Sequence, residues 1–152
     1  MTNRRALALL ASVLMLGATA GAAAERRGPA PVNSTWRTEC GACHLAYPPQ
    51  LLPARSWRAL MSGLDKHFGT DASLDPGAAA EIDAFLERHA GRDRGATTSL
   101  RITDTPWFQR KHRKISDTVW ARPAIKSPAN CAACHAGAER GDYDDDTVRI
   151  PR

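Results

Sequence analysis

The pentad Cys40-Gly41-Ala42-Cys43-His44 returns as Cys131-Ala132-Ala133-Cys134-His135, and the two copies use all four cysteines of the chain. A Cys-x-x-Cys-His pentad is the attachment site of c-type haem: each thiol adds to a vinyl group, and the next residue brings an imidazole beneath the ring. Two pentads imply two haem c groups, bound through Cys40 and Cys43 and through Cys131 and Cys134, with His44 and His135 as one axial ligand each. Zinc is a poor alternative. The 87 residues between the two cysteine pairs exceed ordinary zinc-ribbon spacing, and zinc gives no reason for a histidine after each pair. A thioredoxin-like dithiol needs strand and helix patterning around one active pair, and no such alternation is present.

The start of the chain fits the same chemistry. Arg4 and Arg5 precede an apolar run from Ala6 to Leu16, and small residues lead to Ala22-Ala23-Ala24, the pattern of a secretory signal peptide over residues 1–24. Retention of that leader as an anchor is the competing expectation. Cleavage after Ala24 leaves 128 residues, with 19 Lys and Arg against 16 acids, a formal +3 that four haem propionates would bring near neutral. Nucleic-acid binding is therefore a poor inference from the basic balance of the whole chain, and the periplasm is the expected location. An even cysteine count in an exported chain suggests a disulfide framework, but the histidine after each pair argues for haem. With only nine aromatic residues the core is modest, so two macrocycles are expected to supply much of the interior and the haem-free chain to be largely unfolded.

The expected fold class is all-α, a small c-type cytochrome of short helices around two haems. An N-terminal lobe is expected over 25–98 and a C-terminal lobe over 99–152, joined by the Gly, Thr and Asp-rich stretch 91–105. Residues 25–38 read as a loose lead-in, with Trp36 the first residue to pack. Prolines 48, 49 and 53 end the first haem-bearing helix, in a loop able to offer a carbonyl to the second nitrogen of His44. Ser56 is the expected cap of a helix whose stripe is Trp57, Leu60, Met61, Leu64 and Phe68, with His67 at its edge. Asp75 and Pro76 open a helix through Ala90 that Gly91 closes, with Ile82, Phe85, Leu86 and His89 on one face. Thr105-Pro106 starts another, on which Phe108, His112 and Ile115 fall together. Its cations at 110, 111, 113 and 114 read as a solvated face that partly neutralises propionates. Asn130 and Gly141 would bound the helix of the second pentad. Asp142, Asp144 and Asp146 imitate a calcium loop but fail where Thr147 replaces the required glycine.

Ligand supply decides the chemistry. Beyond the leader the only methionine is Met61, in an apolar stripe, so three free histidines (His67, His89 and His112) compete for two vacant iron positions. The economical outcome is two bis-histidine, low-spin haems, with His89 the rival to His67. Such irons pass electrons and bind no substrate. An iron left five-coordinate would instead reduce a small ligand such as peroxide or oxygen, the competing, enzymatic function.

From about Trp36 to Pro151 the chain resembles the small periplasmic dihaem cytochromes c, the DHC family. The resemblance rests on Glu39 to Pro49 with Leu51-Leu52-Pro53, on Trp57, and on His67-Phe68-Gly69 with Asp71 to Leu74. It continues through Arg101-Ile102-Thr103, Trp107-Phe108, His112, Ala129 to His135, Gly141 and Ile150-Pro151. It implies an all-helical soluble electron carrier with His67 and His112 as distal ligands; His89 matches no motif of the family. It also implies redox partners, a monohaem oxygen-binding cytochrome c and a membrane cytochrome b.

Overall fold

The computed structural model describes residues 31–93, 95 and 99–152. The expected leader, and part of the expected connection between lobes, lie outside these residues. Five α-helices form: α1 (Ser34–Gly41), α2 (Ala54–Met61), α3 (Pro76–His89), α4 (Pro106–His112) and α5 (Asp117–Trp120), with short 3-10 turns between and after them. Among the described residues there is no strand, and no helix is long and apolar enough to cross a membrane.

The first helix begins earlier than the composition of 25–38 suggests. Asn33 caps it, accepting from the Trp36 N–H at 2.7 Å, while Asn33 Nδ2 and Thr35 Oγ1 donate to the two carboxylate oxygens of Glu81 on α3, at 2.7 and 2.9 Å. The cap therefore also docks α1 on α3. Trp36 then turns inward to meet Phe85, ring centroids 5.3 Å apart. These two rings, with Leu52, Trp57, Ile82 and Leu86, form the main core.

Helix α3 follows its sequence signals closely. Asp75 accepts from the Gly77 N–H at 2.8 Å, Pro76 opens the first turn, and Ile82, Phe85 and Leu86 are buried as the 3.6-residue period requires. Just past its end, Gly91 donates its N–H to the Leu52 carbonyl at 2.8 Å. A Cβ there would lie 2.3 Å from the Gln50 carbonyl oxygen, so only glycine lets α3 close against the loop after the first pentad.

Four elements differ from expectation: α1 ends at Gly41, well before the prolines, and α4 ends at His112, so Ile115 lies beyond it, while α2 and the second pentad depart further. Ser56 does not cap α2: Pro53 holds the cap position, and Ser56 is a fully buried residue inside the first turn. The helix also stops at Met61. Ser62 and Gly63 divert the chain into a 3-10 turn over Leu64–Lys66, so Leu64, His67 and Phe68 are not part of the α2 stripe. The second pentad rides on a 3-10 turn, Cys131–Ala133, and not on a helix running to Gly141; a second such turn, Ala138–Arg140, ends at Gly141. Gly137 between them packs against Asp142, where a Cβ would meet the Asp142 Cβ at 2.6 Å. The Asn130 side chain caps nothing and donates to the Ile125 carbonyl at 3.0 Å.

Candidate functional site

The helix ends and 3-10 turns gather around one cavity of about 1750 Å³. Ligand pockets are commonly about 300–1,000 Å³, so this volume exceeds the requirement of a single small ligand. All eight expected site residues line it: Cys40, Cys43, His44, His67, His112, Cys131, Cys134 and His135. His89 does not. Its ring lies 5.1 Å from Phe85, on the side of α3 next to the core.

The first pentad straddles a helix end: Cys40 belongs to α1, Ala42 is its C-cap, and Cys43 and His44 follow in a turn. The proline-fixed loop does offer a carbonyl. His44 Nδ1 donates to the Leu45 oxygen at 2.7 Å, which fixes the tautomer and leaves Nε2 to the cavity. The Tyr47 ring lies 4.9 Å from His44, with 25° between the planes.

His67 reaches the same cavity from a tight turn. Thr70 N–H donates to the His67 carbonyl at 3.1 Å, with Phe68 at φ 50° and Gly69 at φ 100°. Glycine accepts such a backbone freely; a phenylalanine at positive φ is strained, the kind of outlier that concentrates around functional positions. The Arg101 guanidinium lies 3.9 Å over the Phe68 ring. Burial holds His67 below the usual histidine range, with His44 and Arg101 adding to the effect. A neutral imidazole keeps its lone pair.

In the second half the held imidazole is the distal candidate and the pentad histidine is the one whose Nδ1 lacks a partner. On α4, capped by Thr105, His112 Nδ1 donates to the Phe108 carbonyl one turn earlier at 3.0 Å, and its ring stacks on Phe108 at 4.0 Å. His135 is pushed below the usual range by burial and then by His112. Lys111 on α4 pairs with Asp145 at 2.9 Å, drawing the acidic segment 142–146 to this site.

The decisive distances are those between rings. His44 and His67 lie 6.1 Å apart, centroid to centroid, and His112 and His135 lie 6.3 Å apart. A metal ion bonded to an imidazole nitrogen on each side, at about 2.0 Å per bond, separates two ring centroids by roughly 6 Å. Buried Nδ1 atoms of His67 and His135 have no hydrogen-bond partner. The thiols fit attachment better than redox or zinc chemistry. Cys40 and Cys131 are each pushed up to about 11 by burial, the opposite of a reactive thiolate, and no cysteine is paired with another. Among the described residues no group of three or more His, Cys, Asp or Glu is arranged to hold a bare metal ion. The donor set fits two haems of the c type.

Two tyrosines of the site carry no sequence-derived role. Tyr47 hydroxyl donates to the Ala129 carbonyl at 2.8 Å, and Tyr143 lies edge-on to His135 at 5.3 Å with its hydroxyl buried and unpartnered. Tyr47 lies in the rigid loop and within the run Glu39 to Pro49 that carries the family resemblance, neither of which gives it a role of its own; Tyr143, after Asp142, carries no such signal.

Helical fold, paired pentads and paired imidazoles define a multihaem c-type cytochrome. Residues 36–143 match the dihaem cytochrome c (DHC) family, and the chain belongs to it. It therefore carries two covalently bound haem c groups. The crystal structure of DHC purified from Rhodobacter sphaeroides is 49% identical with a TM-score of 0.68, the match covering 75% of this chain and 99% of that one. A dihaem cytochrome c structure from Shewanella baltica OS155 is 43% identical with a TM-score of 0.71, over 80% of this chain and 94% of that one. No curated protein matches.

Proposed function

We propose that the protein is a periplasmic one-electron carrier in which His44 and His67 hold one haem iron and His112 and His135 the other. The observation that carries this reading is the pair of ring separations, 6.1 and 6.3 Å, each joining a pentad histidine to one distal candidate. The haems supply reversible one-electron chemistry, and the chain sets how they are held. Cys40, Cys43, Cys131 and Cys134 anchor the macrocycles. Leu45 and Phe108 carbonyls orient His44 and His112 through Nδ1 and raise the basicity of the opposite nitrogen. Desolvation keeps His67 and His135 neutral and able to ligate. With four imidazoles engaged and no thioether among the ligands, no coordination place is left for a substrate and the potentials lie low for c-type haem. The leader over residues 1–24 delivers the chain to the periplasm, lobes 25–98 and 99–152 each own a haem, and the partners are a monohaem oxygen-binding cytochrome c and a membrane cytochrome b.

Low-temperature spin resonance of the oxidised protein, with carbon monoxide titration of the reduced protein, tests the ligand set. The wild type is expected to be wholly low-spin and to bind no carbon monoxide; His67→Ala and His112→Ala each convert one iron to high spin and admit one equivalent. Stoichiometric carbon monoxide binding by the wild type would replace this reading with that of an enzyme acting at a five-coordinate iron.

A further inference from the structure

Tyr47 touches both sites at once. Its ring lies against His44, 4.9 Å away, and it is packed on the main core, with Pro48 and Pro49 fixing the loop that follows. Its hydroxyl is satisfied 82 residues further along, by the Ala129 carbonyl at 2.8 Å. The same carbonyl accepts the Cys131 backbone N–H at 3.0 Å, so one oxygen joins the Tyr47 phenol to the first residue of the second pentad. Ala129 is held in turn by its own N–H, which donates to Ser127 Oγ at 3.1 Å. A phenylalanine would fill the same space beside His44. Only the hydroxyl needs the other site.

We propose that Tyr47 is a positioning residue that locks the two haem sites at one separation and orientation, and thereby sets the rate at which they exchange an electron. The inference rests on the reading of the protein as a carrier. In the exchange one site loses the electron that the other gains; no bond forms or breaks, and the phenol keeps its proton. Losing the hydroxyl removes one link between the first loop and the second pentad, so a larger part of the population holds the sites in other arrangements. One hydrogen bond shifts such an equilibrium by roughly twofold to tenfold.

The test uses the holoprotein with both haems attached, comparing wild type, Tyr47→Phe and Ser127→Ala. Flash reduction of one equivalent gives the exchange rate, and spin resonance of the oxidised form gives the spin state and the magnetic interaction between the irons. Tyr47→Phe is expected to stay low-spin at both irons while exchange slows, by no more than roughly tenfold, and the interaction broadens. Ser127→Ala, which loosens Ala129 from the far side, is expected to act in the same direction and serves if Tyr47→Phe fails to load. A wild-type exchange rate with an unchanged interaction in whichever variant loads overturns the proposal. High-spin iron in the wild type would instead count against the ligand assignment, and the ratio of exchange rates would still decide the role of Tyr47.

Discussion

Each histidine is distinguished by where its second nitrogen goes. His44 and His112 give theirs to carbonyls close in the chain, whereas His67 and His135 bury theirs without a partner. His89 has no place in the cavity; it meets Phe85 in the last turn of α3, where a cation also suits the helix dipole. His89→Ala is therefore expected to leave the absorption and spin-resonance spectra of both haems unchanged, with a stability change of about 1 kcal/mol or less. A high-spin signal in that variant would reinstate His89 as a ligand. The carbonyl that orders His44 is readable in the sequence because donor and acceptor are neighbours in the loop after the pentad, whereas helical spacing places Phe108 on the face of His112 without announcing that its carbonyl takes the His112 Nδ1 proton. The partner of Tyr47 is 82 residues away, and no local pattern announces a contact of that range.

Among the elements, legibility follows the strength of the end signals. Helix α3 has a cap, a first-turn proline and a closing glycine, and it forms within a residue of the expected bounds. Helix α2 offers an apolar stripe without a stop beyond Gly63, and periodicity carried past the point where the backbone turns out of the helix. At the second pentad Asn130 resembles a cap, but its amide donates to the Ile125 carbonyl, and beyond the pentad Gly137 packs closely on Asp142 in a turn and not in a helix. Gly91 is where two elements depend on one atom, since α3 can reach the Leu52 carbonyl only without a Cβ. Gly91→Ala is expected to destabilise the holoprotein by about 1–3 kcal/mol through overpacking, read as a lower denaturant midpoint at constant slope. An unchanged midpoint would mean that the loop after the first pentad gives way without cost.

Over the whole molecule, apolar material is shared unevenly. The segment up to Gly91 owns the cluster of Trp36, Leu52, Trp57, Ile82, Phe85 and Leu86, whereas the segment from Ser99 buries only Phe108, Ile125 and Ala138 among its described hydrophobic residues. Helices α4 and α5 have seven and four residues, and isolated helices shorter than about 12–15 residues are marginal in water. The Lys111–Asp145 pair adds little, since exposed ion pairs contribute about 0.2–1 kcal/mol. The interior of the second segment must therefore come from what fills the cavity between its short elements, and the two haems cannot be equivalent in folding. Replacing Cys131 and Cys134 by serine, and isolating protein with one haem per chain by pyridine haemochrome, is expected to expose residues 99–152 to hydrogen exchange and limited proteolysis while α1 to α3 stay protected. The matching change at Cys40 and Cys43 is expected to loosen the loops around His44 and His67 but to leave the Trp36–Phe85 contact and α3 protected, because those rest on side chains of the chain itself. Equal loss of protection along the whole chain in both variants would show that the apolar cluster cannot stand without haem, and that the fold is held from its cofactors outward in both halves.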